Sequence, residues 1–407
     1  MLQALDKGVK GGRWFSLMDK VWSPGNLRAA FAQVKSNDGA PGTDRQTIGM
    51  FEKHLAANLE KLAQELQENR YRAGPVRRVW IDKAGSTEQR PLGIPTVRDR
   101  VVQTALRNVI EPLFEQDFAE HSYGFRPNRG CKDALRRVEH LLKSGHTWVV
   151  DADFKSYFDT IPHEGLMKKV ALKISDRDLL ELIGMYLKQP VEDDGECVEP
   201  ESGSPQGAVI SPLLSNIYLD DLDHLMVREG REMVRYADDL VVLCRSEREA
   251  NEALETLRSW ACANGLTIHP SKTRIVNSQD RGGFDFLGYH FERGMKWPRE
   301  KSVMKLREAI RSKTRRCSGQ SLRQIIGEIN VILRGWFAYF KHSKPQTFGP
   351  IDGWIRMRLR SILRRRHGKR GCGRGNDHQR WPNDYFARQG YFALKSAHAA
   401  ALRSSRR

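Results

Sequence analysis

Near the middle of the chain, Val234-Arg235-Tyr236-Ala237-Asp238-Asp239-Leu240-Val241-Val242-Leu243 sets two adjacent carboxylates between runs of strand-forming residues. The pattern predicts strand, Asp-Asp turn, strand over 233–244. Neighbouring carboxylates in a partly desolvated turn push at least one pKa upward unless a cation compensates, and a hard divalent ion with oxygen ligands does so. Phosphoryl transfer between two such ions needs a third carboxylate, usually from another strand. Trp148-Val149-Val150-Asp151-Ala152-Asp153-Phe154 is a short apolar run suited to deliver it. Asp151 and Asp153 share a face by the period of two, so the pattern leaves both open.

Around this centre the chain alternates helical and extended signals. Leu55, Leu59, Leu62 and Leu66 predict an amphipathic helix over 52–69. A basic hairpin follows, running from Val76 through a turn at Gly85 to Arg90-Pro91-Leu92-Gly93-Ile94-Pro95. Helices are expected over 101–113 and 130–143, separated by the Gly- and Pro-bearing loop 123–127. Ser211-Pro212 has the residues of a helix N-cap and first position. After Gly288 the strand signals stop, and 301–366 is helical in pattern and basic.

Charge is unevenly placed. Residues 301–407 carry 26 Lys and Arg against 5 Asp and Glu, a net of +21, within a chain total of +18. Arg364-Arg365-Arg366, near Trp354, Trp381, Tyr385 and Phe386, suits nucleic acid better than a solvated helix face. No segment has the roughly 18 uninterrupted apolar residues that span a bilayer. Asp6 and Lys7 interrupt any signal-like start, so a cytoplasmic location is expected. The six cysteines (131, 197, 244, 262, 317, 372) form no CxxC pair and read as reduced, mostly packing thiols.

Taken in order, Asp153-Phe154-Lys155-Ser156-Tyr157-Phe158-Asp159, Ser204-Pro205-Gln206-Gly207, Tyr236-Ala237-Asp238-Asp239 and Phe286-Leu287-Gly288-Tyr289 resemble the motifs of reverse transcriptases. Several other stretches are similar to the bacterial group II intron-encoded branch. These are Asn37-Asp38-Gly39-Ala40-Pro41-Gly42-Thr43-Asp44, Arg90–Pro95, Ser122-Tyr123-Gly124-Phe125-Arg126-Pro127 and Ser211–Tyr218. Arg334-Gly335-Trp336-Phe337-Ala338-Tyr339-Phe340 looks like that family's maturase domain.

The resemblance implies an α+β right-hand polymerase with fingers, an antiparallel-sheet palm and a helical thumb. It implies divisions at 1–145 (N-terminal extension and fingers), 146–290 (palm), 291–366 (thumb and maturase domain) and 367–407 (basic nucleic-acid-binding segment). Asp153, Asp238 and Asp239 become ligands of two Mg²⁺ ions, for which Mn²⁺ can substitute, with the Phe154 carbonyl completing the first site. Asp151 becomes secondary. Phe158 matches the bulky residue beneath the incoming sugar that excludes a 2′-hydroxyl. Lys83 and Arg90 match the finger residues that hold the triphosphate, although Asp82 precedes Lys83 where the family more often has proline. Gln206 lies against the nascent base pair, where Gly207 allows close approach, and Lys272 lies near the primer strand. Phe286, Leu287, Gly288 and Tyr289 form the primer grip. Arg126 and Asn128 lie near the template path, and Arg364, Arg365 and Arg366 on the nucleic-acid surface.

The implied partners are an RNA template, in this family group II intron RNA, with a DNA primer, target DNA and dNTPs. Residues 367–407 hold Cys372, His367 and His378, which is insufficient for the paired-cysteine endonuclease domain that many relatives append. Priming at a nick, fork or existing 3′ end is then expected. Two alternatives stay open: a stand-alone enzyme of this lineage recruited to DNA repair or phage defence, and a maturase that only binds and helps splice its RNA.

Overall fold

The strands expected around the paired aspartates are present in the computed structural model, which describes residues 12–82, 89–193 and 195–404. The chain divides into two units, residues 1–276 and 277–407.

Unit one contains two sheets. The first joins β1 (Val76–Asp82), β2 (Gln89–Ile94) and, after β3 (Trp148–Asp153), the short β4 (Val191–Asp193) and β5 (Glu196–Val198), in the order β2-β1-β4-β5. The second joins β6 (Glu232–Tyr236), β7 (Asp239–Cys244), β3 and β8 (Arg274–Asn277), in the order β6-β7-β3-β8. β6–β7 and β7–β3 are antiparallel, as expected for the catalytic sheet. Val150, Ala152, Leu240 and Val242 lie in one core cluster with Leu214 and Ile217 of the helix Ser211–Arg228. Across the sheet Val149 pairs with Leu243, Asp151 with Val241 and Asp153 with Asp239. Directly opposed residues point to one side, so Asp153 and Asp239 share the face turned away from that cluster.

The helices follow the sequence pattern with local departures. The leucine stripe lies on one helix, Leu55–Gln67, and the expected start at residue 52 falls instead in a separate short helix, Ile48–Lys53, because His54 leaves the helical region at φ −122° and ψ 35°. The helix expected over 101–113 runs Val97–Glu115, extended at its start by the Thr96 side chain, which accepts from the Asp99 N–H. Ser211 begins its helix but does not cap it; its hydroxyl donates to the Pro205 carbonyl and accepts from Ser204.

Unit two corrects the expectation that strands end at Gly288. β9 (Phe284–Phe286), β10 (Tyr289–Glu292) and β11 (Met295–Pro298) form a three-stranded antiparallel sheet. Phe284 stacks on Phe291 with centroids 5.1 Å apart, and Arg293-Gly294 turn β10 into β11 with both residues at positive φ. Helices Glu300–Lys313, Leu322–Phe340, Phe348–Arg366 and Leu394–Ser404 then enclose a second core. Ser321 and Gln324 cap the second of these reciprocally. The boundary between the two units falls after residue 276, which groups β9–β11 with these helices.

Among the described residues no helix is long and apolar enough to cross a membrane. All six cysteines are free, but the expectation of packing thiols fails for four, since Cys197, Cys262, Cys317 and Cys372 are exposed.

Candidate active site

The turn between β6 and β7 is the residue pair Ala237-Asp238, with Ala237 at φ +60°. It brings Asp238 and Asp239 to the end of the sheet where β3 finishes with Asp153. Burial raises the Asp238 carboxyl above the ordinary carboxylate range, and the charge of Asp153 raises it further. The Lys272 ammonium donates to Asp153 Oδ2 at 2.6 Å, so this cation, expected near the primer, lies against a predicted metal ligand. Arg274 pairs with Asp151 at 3.2 Å, so both aspartates of β3 carry a basic partner. Phe154 is buried immediately after β3 and bridges to Ile268.

These carboxylates and the neighbouring carbonyl are hard oxygen donors of the kind that bind Mg²⁺. Among the described residues no three His, Cys, Asp or Glu side chains converge closely enough to hold an ion. The donor chemistry fits a divalent metal.

A cavity of about 510 Å³ is lined by Arg78, Phe158, Asp159, Ser204, Pro205 and Gln206, among others, and Asp153, Asp238 and Asp239 are not among its lining residues. Phe158 is half-buried and meets Tyr157 edge-on at 5.4 Å. The Phe158 carbonyl accepts from the Ser204 N–H at 2.7 Å, and the Gln206 carbonyl accepts from the Gly93 N–H at 2.6 Å. The Gln206 loop is therefore stitched both to the sugar-gate candidate and to β2. Gly207, at φ +108°, has no room for a Cβ because the Gly93 carbonyl and Leu92 Cδ1 occupy that space, so its close approach is to β2. Arg90 is exposed on β2 opposite Ile81. Lys83 lies outside the described residues.

Other predicted residues are placed less simply. Arg126 is buried, pairs with Glu115 at 2.8 Å and donates to the Ala119 and Ser122 carbonyls. Its guanidinium is thus engaged internally. Asn128 is exposed at φ +60°. In unit two, Phe286 and Tyr289 are buried, and the turn between them has Leu287 at φ +46° and Gly288 at φ +83°. Any grip made there uses the backbone. Tyr339 donates its hydroxyl to the Leu287 carbonyl at 2.7 Å, and Tyr289 donates to the Tyr339 carbonyl at 2.7 Å. Arg365 is exposed, Arg364 pairs with Asp377 at 2.9 Å, and Arg366 donates to the Gln320 carbonyl. Trp381 and Phe386 are core residues, correcting their place beside the basic run as stacking surfaces. Trp354 instead has Arg307, Arg311 and Arg358 within 5.8 Å of its ring.

Sequence reasoning missed Arg235, which is fully buried and paired with Asp223. A signal existed: Asp223 lies on the apolar stripe of Leu219, Leu222 and Met226, where an acid needs a buried partner.

Residues 81–291 match the reverse transcriptase (RNA-dependent DNA polymerase) family, and residues 303–381 match the group II intron maturase-specific domain. Protein YkfC of Escherichia coli is 35% identical over 318 residues, covering 68% of this chain and 83% of that protein. The group II intron-encoded protein LtrA of Lactococcus lactis is 37% identical over 201 residues, covering 49% of this chain. The matched region spans a third of LtrA's length (33%). Among solved structures, a partial Cas6-RT-Cas1–Cas2 complex aligns over 61% of this chain and 41% of that chain, with 25% identity and a TM-score of 0.39. With a mixed α/β fold, a reverse transcriptase domain and a maturase-specific domain in that order, the chain belongs to the group II intron reverse transcriptase/maturase family.

Proposed function

We propose that the chain copies RNA into DNA with Asp153, Asp238 and Asp239 holding two Mg²⁺ ions and the Phe154 carbonyl completing the first site. The family's use of divalent metal is common ground; the two-ion ligand set is the specific reading. One observation carries it: Asp153 stands opposite Asp239 in strand register, with Asp238 next in the turn. Ions bound there would lower the pKa of the primer 3′-hydroxyl and neutralise charge on the leaving pyrophosphate.

The protein's own groups supply positioning. Phe158 lines the cavity and would exclude a ribose 2′-hydroxyl there, and Gln206 sits on a loop fixed at both ends, its side chain hydrogen-bonded to Asp159. Arg90, on β2, and Lys83 would hold the triphosphate. Lys272, paired with Asp153, would lie near the primer strand. Asp151, engaged by Arg274, stays secondary.

Template, primer and dNTPs are the partners of such a domain. Group II intron RNA as the bound RNA, and assistance to its splicing, are supported by the maturase-specific match and by the net charge of +21 in 301–407. The fingers, palm, thumb and tail divisions at 145, 290 and 366 belong to the same proposal.

Asp153→Asn and Asp238→Asn are expected to abolish dNTP incorporation on a primed RNA template in Mg²⁺ while leaving RNA affinity nearly unchanged. Strong extension by either purified variant would show that the carboxylates are misassigned.

A further inference from the structure

The Asp-Asp turn does not hold itself. Ala237 is an L-residue in the left-handed region, a conformation that a non-glycine residue keeps only when its surroundings impose it. The imposing group is Arg235. This arginine is on β6, 0% exposed, with its side chain among the core residues. Its Nε donates to Asp223 Oδ1 at 2.8 Å and its Nη2 donates to Asp223 Oδ2, a bidentate pair. Its Nη1 donates at 2.9 Å both to Asn216 Oδ1 and to the carbonyl of Ala237.

Asn216 and Asp223 are seven residues apart on one helix, hence two turns apart on one face, and both reach the same guanidinium. Asn216 Nδ2 in turn donates to the Gly124 carbonyl at 2.9 Å. The Tyr123 N–H donates to the Arg235 carbonyl at 2.9 Å, and the Arg235 N–H donates to the His121 carbonyl at 3.0 Å. The buried cation therefore ties the helix to the carbonyl one residue before Asp238, while the Arg235 backbone and the Asn216 amide hold the loop 121–124. A lysine could carry the charge but not this planar fork.

We infer that Arg235 is a positioning residue for catalysis, setting the conformation of the Asp-Asp turn through its bond to the Ala237 carbonyl, with Asp223 and Asn216 as its orienters. The inference rests on the assignment of Asp238 and Asp239 as catalytic carboxylates. A buried ion pair can also be a packing device only, and breaking one by a single change is destabilising in itself. The two roles separate by replacing the pair. Arg235→Met combined with Asp223→Leu removes both charges and fills their volume, so the thermal midpoint should recover relative to Arg235→Met alone.

In the double variant and in Arg235→Lys, kcat for single-nucleotide addition should fall by about 10²-fold, the cost of a misplacement near 1 Å, with primer–template Kd within about twofold. Mn²⁺ affinity, read by electron paramagnetic resonance without turnover, should weaken in parallel. Asn216→Ala leaves the ion pair intact and should lower kcat in the same direction, so it decides the matter if neither Arg235 variant folds. A folded variant with parental kcat and parental Mn²⁺ affinity would reduce Arg235 to packing. Asp238→Asn assayed alongside distinguishes the failures: if it too is active, the carboxylate assignment falls; if it alone is dead, only the role of Arg235 falls.

Discussion

Gly124 gives the sharpest steric test of the catalytic turn. A Cβ built there meets the Ala237 backbone nitrogen, lies 2.8 Å from the Tyr236 carbonyl carbon and 3.0 Å from Ala237 Cα. All three are main-chain atoms of the turn that carries Asp238, so no flexible side chain can yield. In Gly124→Ala the loop and the turn must part by about 1 Å, and a shift of that size at a catalytic group costs about 10²-fold in rate, or about 2.7 kcal/mol of barrier. The overpacking itself should cost about 1–3 kcal/mol of stability, lowering the melting temperature by several degrees. Rapid-quench extension at saturating dNTP and primer–template isolates kcat, and differential scanning calorimetry reads the stability. Parental kcat and an unchanged melting temperature would refute the docking of loop 121–124 on the turn.

Phe158→Ala should admit ribonucleotides, raising rNTP incorporation relative to dNTP in single-nucleotide kinetics; an unchanged preference would make Phe158 an ordinary packing residue. Because burial and the charge of Asp153 raise the Asp238 carboxyl, its protonated form stabilises the metal-free fold. That stabilisation is complete below the ordinary aspartate pKa and lost as pH rises through the raised value. Mn²⁺ affinity should accordingly fall on acidification at a pH above the ordinary carboxylate range, and Asp238→Asn should remove the dependence in a titration series. Alanine at Arg364, Arg365 and Arg366 should flatten the log–log salt dependence of RNA binding by about one to two units, since Arg364 and Arg366 are partly held by Asp377 and the Gln320 carbonyl. An unchanged slope would make the run a solvated face.

The strand–turn–strand around Asp238 was legible because its signal is local, a period of two interrupted by acids that no core would tolerate. The helix Cys131–Lys143 was legible for a similar reason, and its Gly130 N–H donates to Asp133 as a first-turn acid should. What escaped depends on distant partners. Arg126 sits in a loop that suggests an exposed cation, yet Glu115, eleven residues earlier, draws it inside. Arg235 looked like a polar interruption of a strand until the helix carrying Asp223 and Asn216 was laid across it. β10 and β11 were hidden by their charges: His290, Glu292 and Lys296 alternate with Tyr289, Phe291 and Met295, a pattern masked by the basic helix that follows.

The bonds exchanged by Tyr289, Leu287 and Tyr339 bear on where a working part of this protein ends. Family descriptions place a border between residues 291 and 303. The hydrogen bonds cross it, and so does the contact of Tyr289 with Phe340, whose rings are 4.9 Å apart. A chain cut after residue 291 would lose β11, leave the Leu287 carbonyl and the Tyr289 hydroxyl without these mates, and bare Phe286, Tyr289 and Phe291 to water. The inherited module and the mechanical part are thus different lengths of chain. Substitutions in the Trp336–Phe340 stretch, though they fall in the maturase-specific region, bear directly on the turn of Leu287 and Gly288.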